Sequence, residues 1–415
     1  MKFNKLSQLA LISAIGLLVS TLLAGCYLIT VDYLFVAASE GAAAGSPGEI
    51  YAYAIDGQSG AIRTVLPPVL TGGTQPVSMA LTSDNANLYV ANQGNNSVVH
   101  FAIAYRGQLT QKDTVTLPTT PVSVMVNSSN TYLYVISGTN SATLTEYSLS
   151  NGAIGSVVAT QQLTVPGYPS DTIIPTGINV LGAGYNSDTI TSNGSGTALY
   201  VTAYDESAYN PGGSTTSNAN PGWIFGFAVG TNGALSSVAG SPWQAGVKPS
   251  AVTSDPTGRF VYVTDFASND LIGYGVLSTH VLNFLINGPF KTGNEPTAIT
   301  IDPRGIYMYV SNSLDNTVSA YTIALPTGTP STVVNSTSSS GNVTDTDPVA
   351  IAVDPALGRF VYTANHLGNT ISGFELNPNT GAIDSTLATP YPTGVTPNAI
   401  VVVPHGNQAT QSITP

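Results

Sequence analysis

The sequence is unusually poor in charged residues. Only 10 Lys and Arg and 22 Asp and Glu occur among 415 residues, or 8%, against about a quarter in an average globular protein. The net charge is −12 and no basic stripe is visible, which excludes a nucleic-acid partner because phosphate binding needs clustered Lys and Arg. The chain is still expected to fold, because 42% of its residues are hydrophobic and 21 are Tyr, enough for a large core.

Helical periodicity is missing as well. After residue 26, no convincing stretch places apolar residues at the i, i+3, i+4, i+7 spacing of an amphipathic helix. The chain instead alternates short runs rich in Val, Ile, Thr and Tyr with clusters of Gly, Pro, Asn and Asp. Such runs are typical of strands, and such clusters are typical of tight turns. The sequence therefore predicts an all-β protein.

Cysteine occurs once, at position 26, so no disulfide can form within the chain. Lys2 and Lys5 precede an apolar run over residues 9–23, and residues 23–26 read Leu-Ala-Gly-Cys. A basic start followed by a short apolar run predicts a signal peptide over residues 1–26. The last four residues resemble the lipobox of bacterial lipoproteins, which implies a lipid anchor on Cys26 and an exported, membrane-anchored protein facing the periplasm or cell surface. The alternative is an ordinary signal peptide with an incidental cysteine.

One pattern of strand, turn, strand and strand recurs along the chain. Copies begin at residues 75, 120, 175, 248, 295 and 347, a spacing typical of propeller blades. Two fragments remain: residues 33–39 and 50–55 match the second and third strands, and residues 396–404 match the first. Together they would complete a seventh blade and close the ring, which removes the exposed sheet edges.

The sequence thus predicts a single seven-bladed β-propeller of four-stranded blades over residues 27–404, with a C-terminal tail over 405–415. The C-terminal strand would complete the N-terminal blade. A closed ring has no edge that demands a partner, so a monomer is expected.

Three second-strand motifs carry a family resemblance: residues 88–92 (LYVAN), 261–265 (VYVTD) and 308–312 (MYVSN). With the Asp-Pro-x-Gly turns before them and the Asn-x-Val after them, they resemble the YVTN repeats of seven-bladed propellers. That superfamily includes the lactonase-type propellers, whose best-known activity is 6-phosphogluconolactonase. The resemblance covers about residues 31–404.

The resemblance implies that function lies on the face holding two sets of connections, those leading into the inner strands and those joining second to third strands. Polar residues at these positions form the candidate site. The predicted catalytic residues are Lys248, Glu295, Asp347, Asp265 and His366, and the predicted substrate-binding residues are Asn92, Asn312, Asn365, Tyr204 and Asp205. An acid would act as base, Lys248 would bind an anion or oxyanion, and His366 would move a proton. The alternative is that these are solvated residues and turn formers.

The chain departs from the family in one respect. The family carries a Pro-His-x-His stretch at an inner strand, whereas the corresponding stretches here read Pro-Val-Ser, Pro-Ser-Ala, Pro-Thr-Ala, Pro-Val-Ala and Pro-Asn-Ala. Arg259, Arg304 and Arg359 lie in or after turns on the opposite face, so a phosphorylated lactone is disfavoured. Two functions stay open: a lactonase acting on a lactone or sugar-derived ester, and a non-catalytic propeller that binds a protein, peptide or glycan of the cell envelope.

No cofactor or metal is predicted, because the four histidines fall on separate repeats. Ca²⁺ among channel carboxylates remains open but has no loop signature. Insertions over residues 166–174 and 203–220 map to the functional face, where they form either a lid or partner surface or a tolerated polar insertion. A third, over 327–346, is expected to be an outer-edge loop.

Overall fold

The computed structural model describes residues 30–39, 41, 45–181, 198–209, 221–230, 232–333 and 342–404. The predicted signal peptide with Cys26, the tail over 405–415 and most of the 203–220 insertion lie outside these residues. Within the described part, no helix is both long and apolar enough to cross a bilayer. Strands are numbered along the chain.

The described chain forms seven antiparallel sheets arranged as a ring, and in six of them the strands follow sequence order from the channel outward. The N-terminal part supplies β1 (Thr30–Ser39), β2 (Pro47–Asp56), β3 (Ile62–Thr64) and β4 (Val69–Thr74). Blade 2 contains β5 (Pro76–Leu81), β6 (Asn87–Asn92), β7 (Ser97–Ile103) and β8 (Leu109–Thr116). Blade 3 contains β9 (Pro121–Val126), β10 (Tyr132–Ser137), β11 (Thr143–Ser150) and β12 (Ala153–Gln162). A 3-10 turn spans Tyr105–Gly107 and another Ser170–Thr172.

The next four blades follow the same order, with the outermost position filled by two short strands. Blade 4 contains β13 (Ile173–Val180), β14 (Ala198–Asp205), β15 (Gly222–Val229), β16 (Leu235–Ser237) and β17 (Trp243–Gln244). Blade 5 contains β18 (Pro249–Ser254), β19 (Phe260–Asp265), β20 (Asp270–Val276), β21 (Leu282–Phe284) and β22 (Phe290–Lys291). Blade 6 contains β23 (Pro296–Ile301), β24 (Tyr307–Asn312), β25 (Thr317–Ala324), β26 (Thr329–Thr332) and β27 (Asn342–Val343). Blade 7 contains β28 (Pro348–Val353), β29 (Phe360–Asn365), β30 (Thr370–Leu376), β31 (Ile383–Ser385) and β32 (Tyr391–Pro392).

Blade 1 joins the two ends of the chain. Its inner strand is β33 (Val395–Pro404), which pairs antiparallel with β1 in a register that includes Phe35 opposite Val401. The inner strands contact one another in a closed series, β33 to β5, β9, β13, β18, β23, β28 and back to β33. The predicted seven-bladed ring and its closure by the C-terminal strand are confirmed.

The third insertion is more ordered than expected. β26 and β27 lie within residues 327–346 and pair with β25 as the outer strands of blade 6. The predicted outer-edge position is confirmed, but β26 and β27 are strands and not a loop, because the third strand of the blade offers backbone groups for them to pair with. Residues 334–341 lie outside the described part.

Tyrosines of the second strands tie five of the blades to the next one. The buried hydroxyl donates to a backbone carbonyl in the hairpin between the third and fourth strands of the following blade. The pairs are Tyr89 with Gly152 (2.6 Å), Tyr200 with His280 (2.7 Å), Tyr262 with Gly328 (2.6 Å), Tyr309 with Gly381 (2.9 Å) and Tyr362 with Gly60 (2.7 Å). The Tyr of the repeated motif is therefore both a core residue and a hydrogen-bonded link between blades.

Blade 3 departs from this pattern. The hydroxyl of Tyr134 has no hydrogen-bond partner among the described residues, and neither carboxylate oxygen of the fully buried Glu146 has one. Glu146 lies directly opposite Tyr134 in the pairing of β10 with β11. At the equivalent places other blades have Gly273, Ala320 or Gly373. The seam between blades 3 and 4 thus contains a buried carboxyl group that the repeat does not require.

Replacing Tyr309 with Phe should destabilise the fold by about 1–2 kcal/mol, because it removes a buried hydrogen bond and leaves the carbonyl of Gly381 unpaired. Tyr134→Phe is the matched control: it removes a hydroxyl that has no partner in the described structure, so it should cost less or stabilise the protein. Chemical denaturation of both variants measures the difference. Equal losses would show that the inter-blade hydrogen bond contributes nothing.

Candidate functional site

The mouth face is the end of the ring that holds the loops before the inner strands and the loops after the second strands. On this face, the residue before the proline of four inner strands has a left-handed backbone: Gln75, Glu295, Asp347 and Thr396, with φ between 49° and 60°. Non-glycine residues rarely adopt this region, and they persist there only when their surroundings hold them. The mouth backbone is therefore strained but fixed.

Hydrogen bonds from two blades hold each strained residue. The N–H groups of Glu295, Asp347 and Thr396 each donate to the side-chain oxygen of an Asn in the preceding blade, at 2.8 Å in every case. The carbonyl of Asp347 accepts from the N–H of His366 in its own blade at 2.7 Å. Because neighbouring loops are tied in this way, side chains on the mouth face keep defined positions.

Asp347 and His366 are the predicted catalytic residues that the structure brings together. Burial raises the pKa of the Asp347 carboxyl, and the nearby His366 partly offsets that rise. The ring Nδ1 of His366 lies 2.6 Å from Oδ1 of Asn398, on the inner strand of blade 1. The Nδ2 of Asn398 in turn donates to the carbonyl of Pro76 at 3.1 Å. One chain of contacts therefore joins blades 7, 1 and 2 at the mouth.

This series of contacts determines the tautomer of the His366 imidazole. The carbonyl of Pro76 only accepts hydrogen bonds, so the amide nitrogen of Asn398 faces it and the amide oxygen faces His366. An amide oxygen also only accepts, so Nδ1 of His366 carries the proton. In the neutral ring, Nε2 then has a free lone pair. His366 is thereby held in the tautomer that a general base needs.

Lys248 lies elsewhere on the mouth face, enclosed by aromatic rings. Its Nζ is 5.5 Å from the ring centre of Tyr204 and 5.0 Å from those of Tyr209 and Phe266. Within the described residues, no ion pair joins Lys248 to any carboxylate. Cation–π contacts stabilise the ammonium group without neutralising it. The ammonium group of Lys248 therefore contacts aromatic rings and not an acid in the described part of the chain.

The predicted convergence of Lys248 with the acids is not seen in the described contacts. The contacts of Glu295 are made by its backbone, with Asn269 and Ser313. Asp265 is fully buried, and its carboxylate accepts the N–H groups of Val247, Lys248, Ala267 and Ser268 at 2.6–3.3 Å. These bonds give Asp265 a structural part in the loop. Its catalytic role stays a prediction that this geometry does not favour.

The predicted substrate-binding amides are also built into the blades. Asn92, Asn312 and Asn365 are fully buried. Their Nδ2 atoms donate within the protein, to the Thr71 carbonyl (3.3 Å), Ser319 Oγ (2.9 Å) and Ser372 Oγ (2.9 Å). Substrate contact by these amides remains a prediction, and their burial argues for a structural role.

The insertion beside blade 4 contributes aromatic residues. Tyr204 packs edge-on against Tyr209, with ring centres 5.6 Å apart, and Tyr168 packs edge-on against Trp223 at 5.7 Å. Asp205 is buried and accepts from the backbone and hydroxyl of Ser207. The side of the mouth at blades 4 and 5 is therefore aromatic and contains Lys248.

Sequence reasoning missed Asn398 and Phe266. A signal existed for Asn398, because the residue after the first proline of an inner strand is polar in several blades. Ser250 and Thr297 occupy the same position and donate to Pro296 and Pro348 of the next blade at 2.6 and 2.7 Å. No comparable pattern marks Phe266, since its contact with Lys248 crosses from one loop to another.

A concave region of about 440 Å³ lies away from this site, at the outer edge where blade 1 meets blade 7. Its lining consists of Tyr51, Tyr53, Thr64, Val65, Leu66, Pro67, Pro68, Pro392 and Thr393. None of these described side chains is a carboxylate, an imidazole or an amine. The mouth face, which has all three, is therefore the better candidate for chemistry. In the described part of the chain, no group of three or more His, Cys, Asp or Glu side chains is placed to hold a metal ion.

Comparison with known proteins agrees with this architecture. The sequence profile of the family described as lactonase, 7-bladed β-propeller, matches residues 48–168 and 240–408. No curated protein matches the chain. Among solved structures, the periplasmic gluconolactonase of Pseudomonas aeruginosa superposes with a TM-score of 0.69 at 18% identity, covering 90% of this chain and 99% of that one. A proposed 6-phosphogluconolactonase from Bacteroides uniformis superposes with a TM-score of 0.68 at 16% identity, covering 90% and 100%. At these identities the structures show a shared fold.

Proposed function

The chain belongs to the lactonase family of seven-bladed β-propellers, and on this premise we propose that it hydrolyses a lactone or sugar-derived ester with His366 as general base. The observation that carries the proposal is the contact of His366 Nδ1 with Asn398 Oδ1 at 2.6 Å. That contact leaves Nε2 free to take a proton from water.

The reaction follows from this arrangement. Nε2 of His366 takes a proton from water as the oxygen attacks the ester carbonyl. The charge of the Asp347 carboxylate favours the resulting imidazolium. The attack forms a tetrahedral oxyanion at the ester carbonyl. When the ring C–O bond breaks, the imidazolium returns its proton to the leaving alkoxide, giving a hydroxy acid.

The experiment is to measure hydrolysis of a panel of neutral lactones by the protein and by His366→Gln. Loss of a positioned base should lower kcat by about a hundredfold with little change in KM. His280→Asn, on the outer hairpin of blade 5 where φ is 64°, is the matched control because Asn tolerates that backbone. Unchanged turnover by His366→Gln would refute the assignment.

A non-catalytic binding role is the second candidate. The aromatic side of the mouth supports it, because the partly exposed rings of Tyr168, Trp223 and Tyr209 suit contact with a glycan or peptide. Absence of turnover on every lactone, together with measurable binding of an envelope glycan or peptide, would favour this role.

We also propose that the protein is exported and anchored through Cys26. The support is the basic start, the apolar run and the Leu-Ala-Gly-Cys sequence at residues 23–26. The test is the intact mass of the protein isolated from the membrane fraction. A mass without lipid, or one showing that the mature chain does not begin at Cys26, would contradict the proposal.

A further inference from the structure

Asp347 lies between two loops of the mouth face. Its N–H donates to Oδ1 of Asn316, in the loop after β24, at 2.8 Å. Its carbonyl accepts from the N–H of His366, in the loop after β29, at 2.7 Å. Both loops are therefore hydrogen-bonded to Asp347, the acid next to the proposed base His366.

Each of these loops exposes a leucine at the same position. Leu314 is 63% exposed and Leu367, the neighbour of His366 in the chain, is 64% exposed. In loops of the same length on blades 2 and 5, the corresponding residues are Gly94 and Ala267. The loop conformation does not require these two large apolar side chains, since the loops of blades 2 and 5 form with Gly94 and Ala267 in their place.

The charges around the two leucines disfavour an anionic substituent. The carboxylates of Glu295, Asp315 and Asp347 belong to this side of the mouth. Lys248, by contrast, is held among the rings of blades 4 and 5. A phosphate or carboxylate group beside Leu314 and Leu367 would meet negative charge and apolar surface. An alkyl group that packs on the two leucines would remove its own apolar surface and theirs from water, which is favourable.

We propose that the substrate carries an alkyl or acyl chain, and that this chain packs on Leu314 and Leu367 while the water activated by His366 attacks the ester. The inference rests on the proposed function and adds the class of substrate: a lactone or ester with an apolar substituent. Leu314 and Leu367 then determine specificity without taking part in the chemistry.

The experiment compares γ-butyrolactone with the same ring bearing a six-carbon alkyl chain. The alkyl lactone should show a kcat/KM at least tenfold higher, on the order expected for burying a few methylene groups. The double variant Leu314→Ser/Leu367→Ser should lose this preference through a rise in KM and keep its rate on γ-butyrolactone. Leu387→Ser, a 75% exposed leucine on the outer part of blade 7, is the matched control and should change neither rate.

Binding separates this inference from the proposed function. Titration calorimetry with His366→Gln measures affinity for both lactones without turnover. Tighter binding of the alkyl lactone that disappears in the Leu314→Ser/Leu367→Ser background supports the inference even if no lactone is hydrolysed. Equal affinity for the two lactones, or a preference that survives loss of both leucines, overturns it even if hydrolysis by His366 is established.

Discussion

Deleting residues 396–415 should unfold the ring. The deletion removes almost all of β33, and with it the buried side chains of Ile400, Val402 and Val403. Each such side chain contributes about 1.5–3 kcal/mol by its burial, so these three alone account for roughly 5–9 kcal/mol. The deletion also exposes β1, whose Phe35 is fully buried between sheets. Because a whole protein is stable by only about 5–15 kcal/mol, the loss should be decisive.

The reference for this experiment is the chain that ends at Pro404, which retains all of β33. Circular dichroism during heating compares the two proteins, and hydrogen exchange of the β1 amides reports the missing strand directly. A shortened protein that melts within a few degrees of the reference would contradict closure by the C-terminal strand.

Glu146→Gln should make the protein more stable at alkaline pH, by up to about 3 kcal/mol. Burial raises the pKa of Glu146 from 4.5 to about 7. Between these values the folded protein keeps a proton that the unfolded chain releases, so stability falls as the pH rises from about 4.5 to 7. Above pH 7 the folded state must hold a buried carboxylate. Gln removes the titration and keeps the shape.

Chemical denaturation at pH 4.5 and pH 8 tests this. The two proteins should be similar at the lower pH, and Glu146→Gln should be clearly more stable at the higher one. The control is Glu375→Gln, because Glu375 pairs with Arg359 at the surface at 2.5 Å and exposed pairs contribute about 0–1 kcal/mol. A stability difference of the same size at both pH values would show that Glu146 does not titrate in this range.

The fold could be predicted from the sequence because the repeat encodes it several times. Each of the six full copies carries the same buried Tyr and three of them carry an Asp-Pro turn, so an error in one copy is corrected by the others. Closure was predictable for a different reason: the two terminal fragments lack complementary strands, and only a ring lets each supply what the other needs. The Tyr links between blades were not predictable, since a strand pattern gives no distance to the next blade.

The site could be predicted only as a set of positions. Sequence order places Asp265, Asp347 and His366 on the mouth face, and the structure does so too. The sequence could not show that the carboxylate of Asp265 accepts hydrogen bonds from four backbone N–H groups. Nor could it show that the carbonyl of Asp347 is bound to the N–H of His366. Both are acids at loop ends, and their difference arises from the direction of nearby N–H groups, which depends on backbone angles such as the φ of 60° at Asp347.

The pairing of β1 with β33 also affects how the protein can fold. Tyr53 donates to the carbonyl of Pro392, 339 residues further along the chain. β1 is synthesised early and its partner β33 late, so the backbone groups along one edge of β1 stay unpaired until β33 has been made. Contacts this distant slow folding and leave time for aggregation. If the chain is exported, the delay is useful, because a ring that cannot close before synthesis ends remains an unfolded polymer that a secretion channel can thread.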